Sequence, residues 1–198
     1  MITYSENYLY GFETTEIDNQ AFYNECLRFE NVLKDKFPSV EKDWYGNMSS
    51  ALNQKYNFFT FPSKYTIQLY HLLKNNVNDL LDKKTSYAIK SWMNVYREGD
   101  QVLMHMHWPS ESKVWHGFYC VNVGEKLSET IYKIPHVKDE IHIESKNGLI
   151  VFGKSDGDEH RSSVWTEKDY CRITLAFDIV PVENLKINHI NHYIPFKV

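Results

Sequence analysis

The sequence predicts a mainly β fold preceded by helices, and three observations support this. Up to about Lys83, two stretches carry apolar residues at helical spacing. From Tyr87 onward, short runs of β-branched and aromatic residues alternate with polar or glycine turns. No helical stretch separates these runs, which favours an antiparallel sandwich or barrel over a parallel α/β sheet.

Two helices are expected in the N-terminal part. Residues 17–37 place apolar side chains at helical spacing behind Asp18, a candidate N-cap. A second amphipathic pattern covers residues 67–83. We expect the aromatic-rich stretch 44–61 between them mainly to pack the helices against the β part. A lid or a peptide groove is the alternative use of that stretch.

Seven later runs have the composition of strands, and the chain is short enough to fold around one core. The runs are YAIKSWMNVY, QVLMHMHW, KVWHGFYCVNV, ETIYKI, GLIVFG, SSVW and YCRITLAFDIV. We therefore predict one domain over residues 1–198, with a helical part at 1–86 and a β-barrel core at 87–181. The tail, 182–198, either adds an edge strand or packs along the surface.

Composition argues against several classes of function. The formal net charge is −4 and no Lys/Arg-rich stripe is present, so nucleic acid is an unlikely partner. No run approaches about 18 consecutive apolar residues, so no membrane partner is expected. The cysteines, Cys26, Cys120 and Cys171, are odd in number and widely spaced, which favours a reducing compartment. We predict a cytoplasmic protein.

Three of the nine histidines have the pattern of metal ligands. His105 and His107 are two apart in a strand-like run, so both imidazoles are expected on one face. His160 is the best third ligand, since it follows the run GLIVFG and the acidic loop SDGDE. Imidazole is a good ligand for iron, and three ligands on one face leave up to three coordination positions open.

The other histidines have simpler interpretations. His71 lies on a predicted helix and is expected to be structural. His116 lies near the HxH pair and is a candidate for the second coordination sphere or the pocket wall. His189 and His192 lie in the tail, where we expect them on the surface.

Arg172 stands in an otherwise apolar run, CRITLAFDIV, where burying a charge is costly unless a matched anion is present. A guanidinium can pair with a carboxylate through two parallel hydrogen bonds. Thr174, two residues on, shares its strand face and could donate a hydroxyl to the same group. The alternative is an edge strand that turns Arg172 to solvent or to an internal salt bridge.

The segment from Trp92 to Ile179 resembles the 2-oxoglutarate and Fe(II)-dependent oxygenases. It is most similar to the prolyl-hydroxylase-like subgroup common in bacteria and bacteriophages, over a little under half of the chain. The order and spacing of the matching pieces carry the resemblance. These pieces are SWMNVYREGD, HMH, VWHGFYCV, NGLIVF, His160 and RITLAF.

The resemblance implies a double-stranded β-helix, a jelly roll or cupin-like barrel, and makes residues 1–198 a single oxygenase domain. It implies Fe(II), 2-oxoglutarate and O2 as cofactor and co-substrates. His105 and His107 would fill the first two ligand positions and His160 the distal one. The implied activity is hydroxylation of an unknown substrate, either a protein or prolyl residue or a small molecule.

The same resemblance assigns the co-substrate contacts. Arg172 with Thr174 would bind the C5 carboxylate of 2-oxoglutarate. Tyr96 falls where related hydroxylases often place a tyrosine near this molecule.

Two departures from the family pattern affect the site. Most members have a carboxylate where this chain has His107, so the shell becomes three histidines unless Glu111, Asp156 or Asp158 supplies an oxygen. His116 stands where the resembling group usually has a small hydroxyl residue, which indicates an altered pocket.

Two other functions compete with this interpretation. The motif within residues 99–117, with Glu111 as a fourth ligand, also looks like the metal motif of the cupins, and residues 157–160 would be its second half. The protein would then be a dioxygenase, isomerase or binding protein that needs no 2-oxoglutarate. The third possibility is a non-catalytic β-barrel binding module. Arg172 and the run WMNVYREGD favour the oxygenase.

Overall fold

The computed structural model describes residues 1–37, 52, 55–124, 127–186 and 192–197. These residues form two α-helices and ten strands arranged in two sheets. The helices are α1 (Asn19–Lys36) and α2 (Lys64–Val77). The strands are β1 (Ile2–Ser5), β2 (Leu9–Glu13), β3 (Tyr87–Tyr96), β4 (Trp115–Asn122), β5 (Glu129–Lys133), β6 (Ile141–Glu144), β7 (Leu149–Lys154), β8 (Glu159–Ser162), β9 (Arg172–Pro181) and β10 (Ile194–Lys197).

Both predicted helices are present, and side-chain caps begin them. Asp18 accepts a hydrogen bond from the backbone N–H of Ala21 at 3.0 Å, which confirms the predicted N-cap of α1. Ser63 caps α2 in the same way, so this helix begins earlier than its apolar pattern indicated. It also ends earlier, at Val77, and a 3-10 turn over Asn78–Leu80 replaces its predicted last turns.

The large sheet has seven strands in the order β1-β2-β7-β4-β9-β3-β10. Its longest pair, β3 and β9, is antiparallel and in register over ten residues, from Tyr87 opposite Pro181 to Tyr96 opposite Arg172. Strands β1 and β2 show that the predicted helical part, 1–86, also contributes two strands. The tail supplies the edge strand β10, one of its two expected uses.

The small sheet has the order β6-β5-β8, and two strand predictions differ from it. The late strand is Glu159–Ser162 and not the run SSVW, which brings His160 into the sheet. The run QVLMHMHW is not a regular strand, since only His105 forms a bridge with His160. Val102 also bonds with Ser162. From Val102 to His105 the chain advances three residues, whereas its partner β8 advances only two, from Ser162 back to His160. The extra residue interrupts the hydrogen-bond ladder between the two segments.

Two large apolar clusters, and a small one of Tyr96, Val102 and Trp165, form the core of the described residues. The larger packs the helices against the large sheet, and it includes Phe29 and Phe61, whose rings stack at 4.3 Å. The described part of the aromatic stretch 44–61 therefore packs as expected, and residues 44–51, 53 and 54 lie outside the described residues. The second large cluster, which includes Phe118 and Tyr132, lies between the two sheets. All three cysteines are free, and no described helix is long and apolar enough to cross a membrane.

Candidate metal and co-substrate site

A cavity of about 470 Å³ lies against β3 and β9, and the register of this strand pair determines which side chains line it. Every second residue of each strand faces the cavity, since side chains alternate between the two faces of a sheet. The four cross-strand pairs on this wall are Tyr96 with Arg172, Asn94 with Thr174, Trp92 with Ala176, and Lys90 with Asp178.

The three histidines predicted as metal ligands come together in the lining of this cavity. The backbones of His105 and His160 are joined by two hydrogen bonds, at 3.0 and 2.9 Å. One ring nitrogen from each of His105, His107 and His160 lies within 4.8 Å of the other two. These side chains can therefore hold one ion together.

Hydrogen bonds at the Nδ1 atoms orient the first two imidazoles toward a common point. His105 Nδ1 donates to the Leu103 carbonyl at 2.8 Å, and His107 Nδ1 donates to Asp178 Oδ1 at 2.8 Å. In the neutral rings both Nε2 atoms then carry lone pairs, and these atoms are 3.1 Å apart. Two metal–nitrogen bonds of about 2.1 Å at a right angle place their nitrogens about 3.0 Å apart, so the pair fits a shared metal ion.

Burial keeps two of these imidazoles in the neutral, metal-binding form. Burial, followed by the charge of His107, lowers the pKa of His105 to about 4. The pKa of His160 is lowered well below its usual value by burial and by the neighbouring histidines. A neutral imidazole binds a metal without first losing a proton, so both residues suit the role predicted for them.

Two buried aspartates contact the histidine cluster. Asp178 accepts from His107 and also from Trp108 Nε1, at 3.0 Å. Asp158 Oδ2 lies 2.9 Å from His116 Nε2 and 4.0 Å from His160 Nδ1. Burial alone would lower the pKa of His116, but the charge of Asp158 outweighs it and raises that pKa. His116 is thus a wall residue of the cavity, as expected, and belongs to a buried ion pair.

Arg172 is buried, with 1% of its surface exposed, and no carboxylate among the described residues bonds to it. Its Nη2 donates to the hydroxyls of Ser145 and Thr130, at 3.1 and 3.4 Å, and its guanidinium lies 4.8 Å from the ring centre of Tyr96. Nε and Nη1 are buried without a hydrogen-bond partner. The two alternatives for Arg172 are therefore wrong, because its burial excludes the solvent-facing one and the lack of a carboxylate partner among the described residues excludes the salt-bridged one.

Other polar groups share this end of the cavity. Thr174 and Tyr96 both line it, and Asn94 Nδ2 approaches the Thr174 hydroxyl at 3.4 Å. Tyr132 also lines the cavity, and its hydroxyl is buried with no hydrogen-bond partner. A buried phenol without a partner is costly, so this hydroxyl, like the guanidinium, is suited to a bound polar ligand.

The structure does not bring every proposed oxygen ligand to the histidines. Glu111 is exposed, and neither it nor Asp156 belongs to the residue groups that could share a metal among the described residues. Asp158 belongs to a second such group, with His116 and His160. His192 was expected on the surface, but it is only partly exposed and lines the cavity, while His189 lies outside the described residues.

Sequence reasoning missed Asp178 and Tyr132 as residues of the site. A signal existed for Asp178, because Arg172, Thr174 and Asp178 are separated by even numbers of residues and thus share a strand face. Tyr132 gave no comparable signal. Its strand, β5, belongs to the other sheet, and only the packing of the sheets brings the ring to the cavity.

Comparisons with known proteins agree with this architecture. No family model and no curated protein matches the sequence. A prolyl-4-hydroxylase from Pseudomonas putida is similar in structure, with a TM-score of 0.58 and 11% identity over 89% of this chain and 94% of that one. A prolyl hydroxylase from Trichoplax adhaerens, in complex with a hypoxia inducible factor peptide fragment, is also similar. Its TM-score is 0.62 and its identity is 10%, over 90% of this chain and 86% of that one.

A third structural neighbour is a carbocyclase and not a prolyl hydroxylase. The non-heme α-ketoglutarate-dependent carbocyclase SnoK from nogalamycin biosynthesis matches with a TM-score of 0.61 and 12% identity, over 98% of this chain and 89% of that one. At such identities the likeness establishes the fold. The chain therefore has the fold of 2-oxoglutarate and Fe(II)-dependent oxygenases, with prolyl hydroxylases among its structural neighbours.

Proposed function

We propose that this protein is a non-haem Fe(II) and 2-oxoglutarate-dependent dioxygenase that hydroxylates its substrate. The observation that carries the proposal is Arg172, a buried cation with two unpartnered N–H groups in the same cavity as a three-histidine cluster. A buried guanidinium of this kind needs an anion, and the described chain supplies none. A dicarboxylate that reaches from Arg172 to a metal would satisfy both ends of the cavity.

We infer that the two sheets form the predicted double-stranded β-helix. One face consists of the neighbouring strands β3, β9, β4 and β7. The other consists of β6, β5 and β8, extended by the bridge from His160 to His105. In such a fold His160 and the bridged His105 would extend from the small sheet, and Arg172 from the large one, toward the space between them.

His105, His107 and His160 are the residues that would hold the metal. When bound, Fe(II) supplies the activation of O2 and leaves coordination positions for the 2-oxo acid. The chain's own part is to orient the imidazoles, two of which are directed by Leu103 and Asp178. Fixed orientation favours metal binding because the side chains lose less freedom when the ion arrives.

Arg172, Thr174 and Tyr96 are the residues that would hold 2-oxoglutarate. The guanidinium can pair with the C5 carboxylate through Nε and Nη1, its two unpartnered groups. Thr174 lies on the same strand face, and Tyr96 stacks beneath the guanidinium. These residues would hold the distal carboxylate, and the 2-oxo end would be the part free to bind the metal.

The structural neighbours support two substrate classes for this protein. Two neighbours are prolyl hydroxylases, one of them with a bound peptide, which supports a protein or prolyl substrate. The third is a carbocyclase, which supports a small molecule as the alternative. The cupin interpretation is less well supported, since Glu111 lies outside the histidine group. It also provides no 2-oxoglutarate carboxylate to pair with the buried Arg172.

Anaerobic titration with Fe(II) and then 2-oxoglutarate, followed by visible spectroscopy, tests this proposal. A bound 2-oxo acid should give a charge-transfer band that disappears in His105→Ala and His160→Ala because both lose the metal. Metal binding without this band would support the cupin interpretation. A protein that binds neither metal nor 2-oxoglutarate would be a non-catalytic module.

A further inference from the structure

Asp178 bonds to His107, a proposed metal ligand. Among the described residues, it is the one carboxylate that does so without belonging to either group of residues that could share a metal ion. We propose that Asp178 is a positioning residue that supplies, through the ring of His107, the negative charge that an all-histidine shell lacks. This inference rests on the proposed function, and it concerns how that metal site is held.

The geometry of Asp178 is that of a fixed acceptor. The side chain is 7% exposed and lies in β9, directly opposite His116 on one neighbouring strand and Lys90 on the other. One carboxylate oxygen accepts from His107 Nδ1 at 2.8 Å, and the other accepts from Trp108 Nε1 at 3.0 Å. Both oxygens are engaged by consecutive residues of the metal-binding segment, so Asp178 sets the orientation of the His107 ring.

The two buried aspartates beside the histidine cluster have different partners. Asp158, the other buried carboxylate here, bonds His116, and this contact raises the pKa of that imidazole. The partners of Asp178 differ, because Trp108 is neutral and His107 is neutral when it binds a metal. Lys90 and His116, which lie opposite Asp178 on the neighbouring strands, interact with its charge from a longer distance, and neither is a proposed metal ligand.

A carboxylate that bonds to the outer nitrogen of a metal ligand has an electrostatic consequence. Three neutral imidazoles leave the full 2+ charge of the ion in a partly buried cavity, which is unfavourable. A carboxylate that accepts from the outer nitrogen of a ligand makes that imidazole a stronger donor to the ion. Loss of such an outer partner typically weakens metal binding about 10- to 100-fold.

Asp178→Asn and Trp108→Phe form a matched pair for the test. Asp178→Asn keeps the size of the side chain and removes its charge, while Trp108→Phe removes one hydrogen bond to Asp178 and leaves the charge in place. Affinity for Co(II), followed by visible absorption in competition with a chelator, should fall about 10- to 100-fold in Asp178→Asn. It should change by less than about threefold in Trp108→Phe.

A second background separates charge compensation from a merely structural role. His107→Asp places a carboxylate directly on the ion and removes the ring through which Asp178 acts. In that background Asp178→Asn should no longer weaken Co(II) binding, and it should strengthen it slightly because two adjacent carboxylates repel each other. An equal loss of affinity in both backgrounds would show that Asp178 only maintains the fold and would overturn the proposal.

The outcome for the wild-type protein distinguishes this inference from the proposed function. If the wild type binds Co(II) and, with Fe(II), gives the 2-oxoglutarate band, while Asp178→Asn binds Co(II) normally, only the role of Asp178 is wrong. If the wild type binds no metal, both proposals fail. With Fe(II) and 2-oxoglutarate bound, Asp178→Asn should also move the band to shorter wavelength, since a weaker imidazole donor makes the iron harder to oxidise.

Discussion

Two arginines on the same strand pair differ in where their anion comes from. Arg97 follows β3 and forms two parallel hydrogen bonds, at 2.8 and 2.7 Å, with Glu30 of α1. Arg172, opposite Tyr96 on β9, is more deeply buried and has only hydroxyl partners and an aromatic face. The carboxylate for Arg97 belongs to the chain, whereas no described residue supplies one to Arg172, and we propose that a ligand does.

This difference indicates distinct roles for two identical side chains. The Arg97–Glu30 pair connects helix α1 to the end of strand β3, so its energy contributes to folding. An unpaired guanidinium costs folding energy, and natural proteins accept such a cost mainly at functional sites. The comparison predicts that replacing Arg97 changes stability and that replacing Arg172 changes ligand binding.

The largest expected effect is that of Arg172→Leu on 2-oxoglutarate binding. Removal of both charge-assisted hydrogen bonds should raise the dissociation constant at least about 100-fold, or about 2.7 kcal/mol. Calorimetry under anaerobic conditions with Mn(II) in place of Fe(II) measures this. Metal content should be unchanged and unfolding stability should not fall, since an unpaired buried charge is lost. Unchanged affinity for 2-oxoglutarate would remove Arg172 as the anchor.

Arg97→Leu should show the opposite pattern. It leaves the Glu30 carboxylate buried with Lys34 as its remaining partner, at 3.1 Å. Because Arg97 itself is 45% exposed, we expect a loss of about 2 kcal/mol, less than for a fully buried pair. Urea unfolding measures the loss, and calorimetry should find 2-oxoglutarate affinity within about twofold of wild type. Reduced affinity with normal stability would contradict the division of roles.

Arg172→Lys sharpens the same comparison with a smaller effect. An ammonium keeps the charge but not the planar fork, so part of the binding energy should return. We expect a dissociation constant about tenfold above wild type, or about 1.4 kcal/mol, by the same calorimetry. If lysine restored full affinity, the anchor would act through charge alone and the two unpartnered N–H groups would not matter.

The smallest expected effect is the loss of the stability that the Arg97–Glu30 pair contributes when the pH falls. Burial alone would raise the pKa of Glu30, but the hydrogen bonds and charges of Arg97 and Lys34 give a net lowering. A carboxyl with a lowered pKa stabilises the fold above its unfolded pKa, and this contribution disappears as pH falls through the folded pKa. Between about pH 5 and 3, the wild type should lose about 1 kcal/mol more stability than Glu30→Gln. Parallel urea titrations that show equal losses would contradict this.

Several features of the site were predictable because they depend on neighbours in the sequence. The i, i+2 spacing of His105 and His107 indicated one shared face, and their Nε2 atoms lie 3.1 Å apart. Arg172 stood out because a charge within an apolar run requires an explanation. The cap of α1 by Asp18 likewise depends on contacts three residues apart.

Features that depend on distant partners were not predictable. Strands β1 and β2 are short, and β2 is a strand because β7 pairs with it from far along the chain. The segment before His107 resembled a strand in composition, but one extra residue opposite β8 interrupts its ladder. Short strands carry too little pattern to be recognised without their partner.

The sequence by itself determined which residue types were available: an HxH pair, a late histidine, and an arginine within an apolar strand. Only the tertiary structure decided that these residues face one cavity, because that depends on how the two sheets pack. It also decided which side chains the carboxylates contact: Glu30 bonds to Arg97 and Asp178 bonds to His107. Among the described residues, no carboxylate bonds to Arg172. The physical reason is that burial makes each unpaired charge costly, and burial is a property of the folded chain.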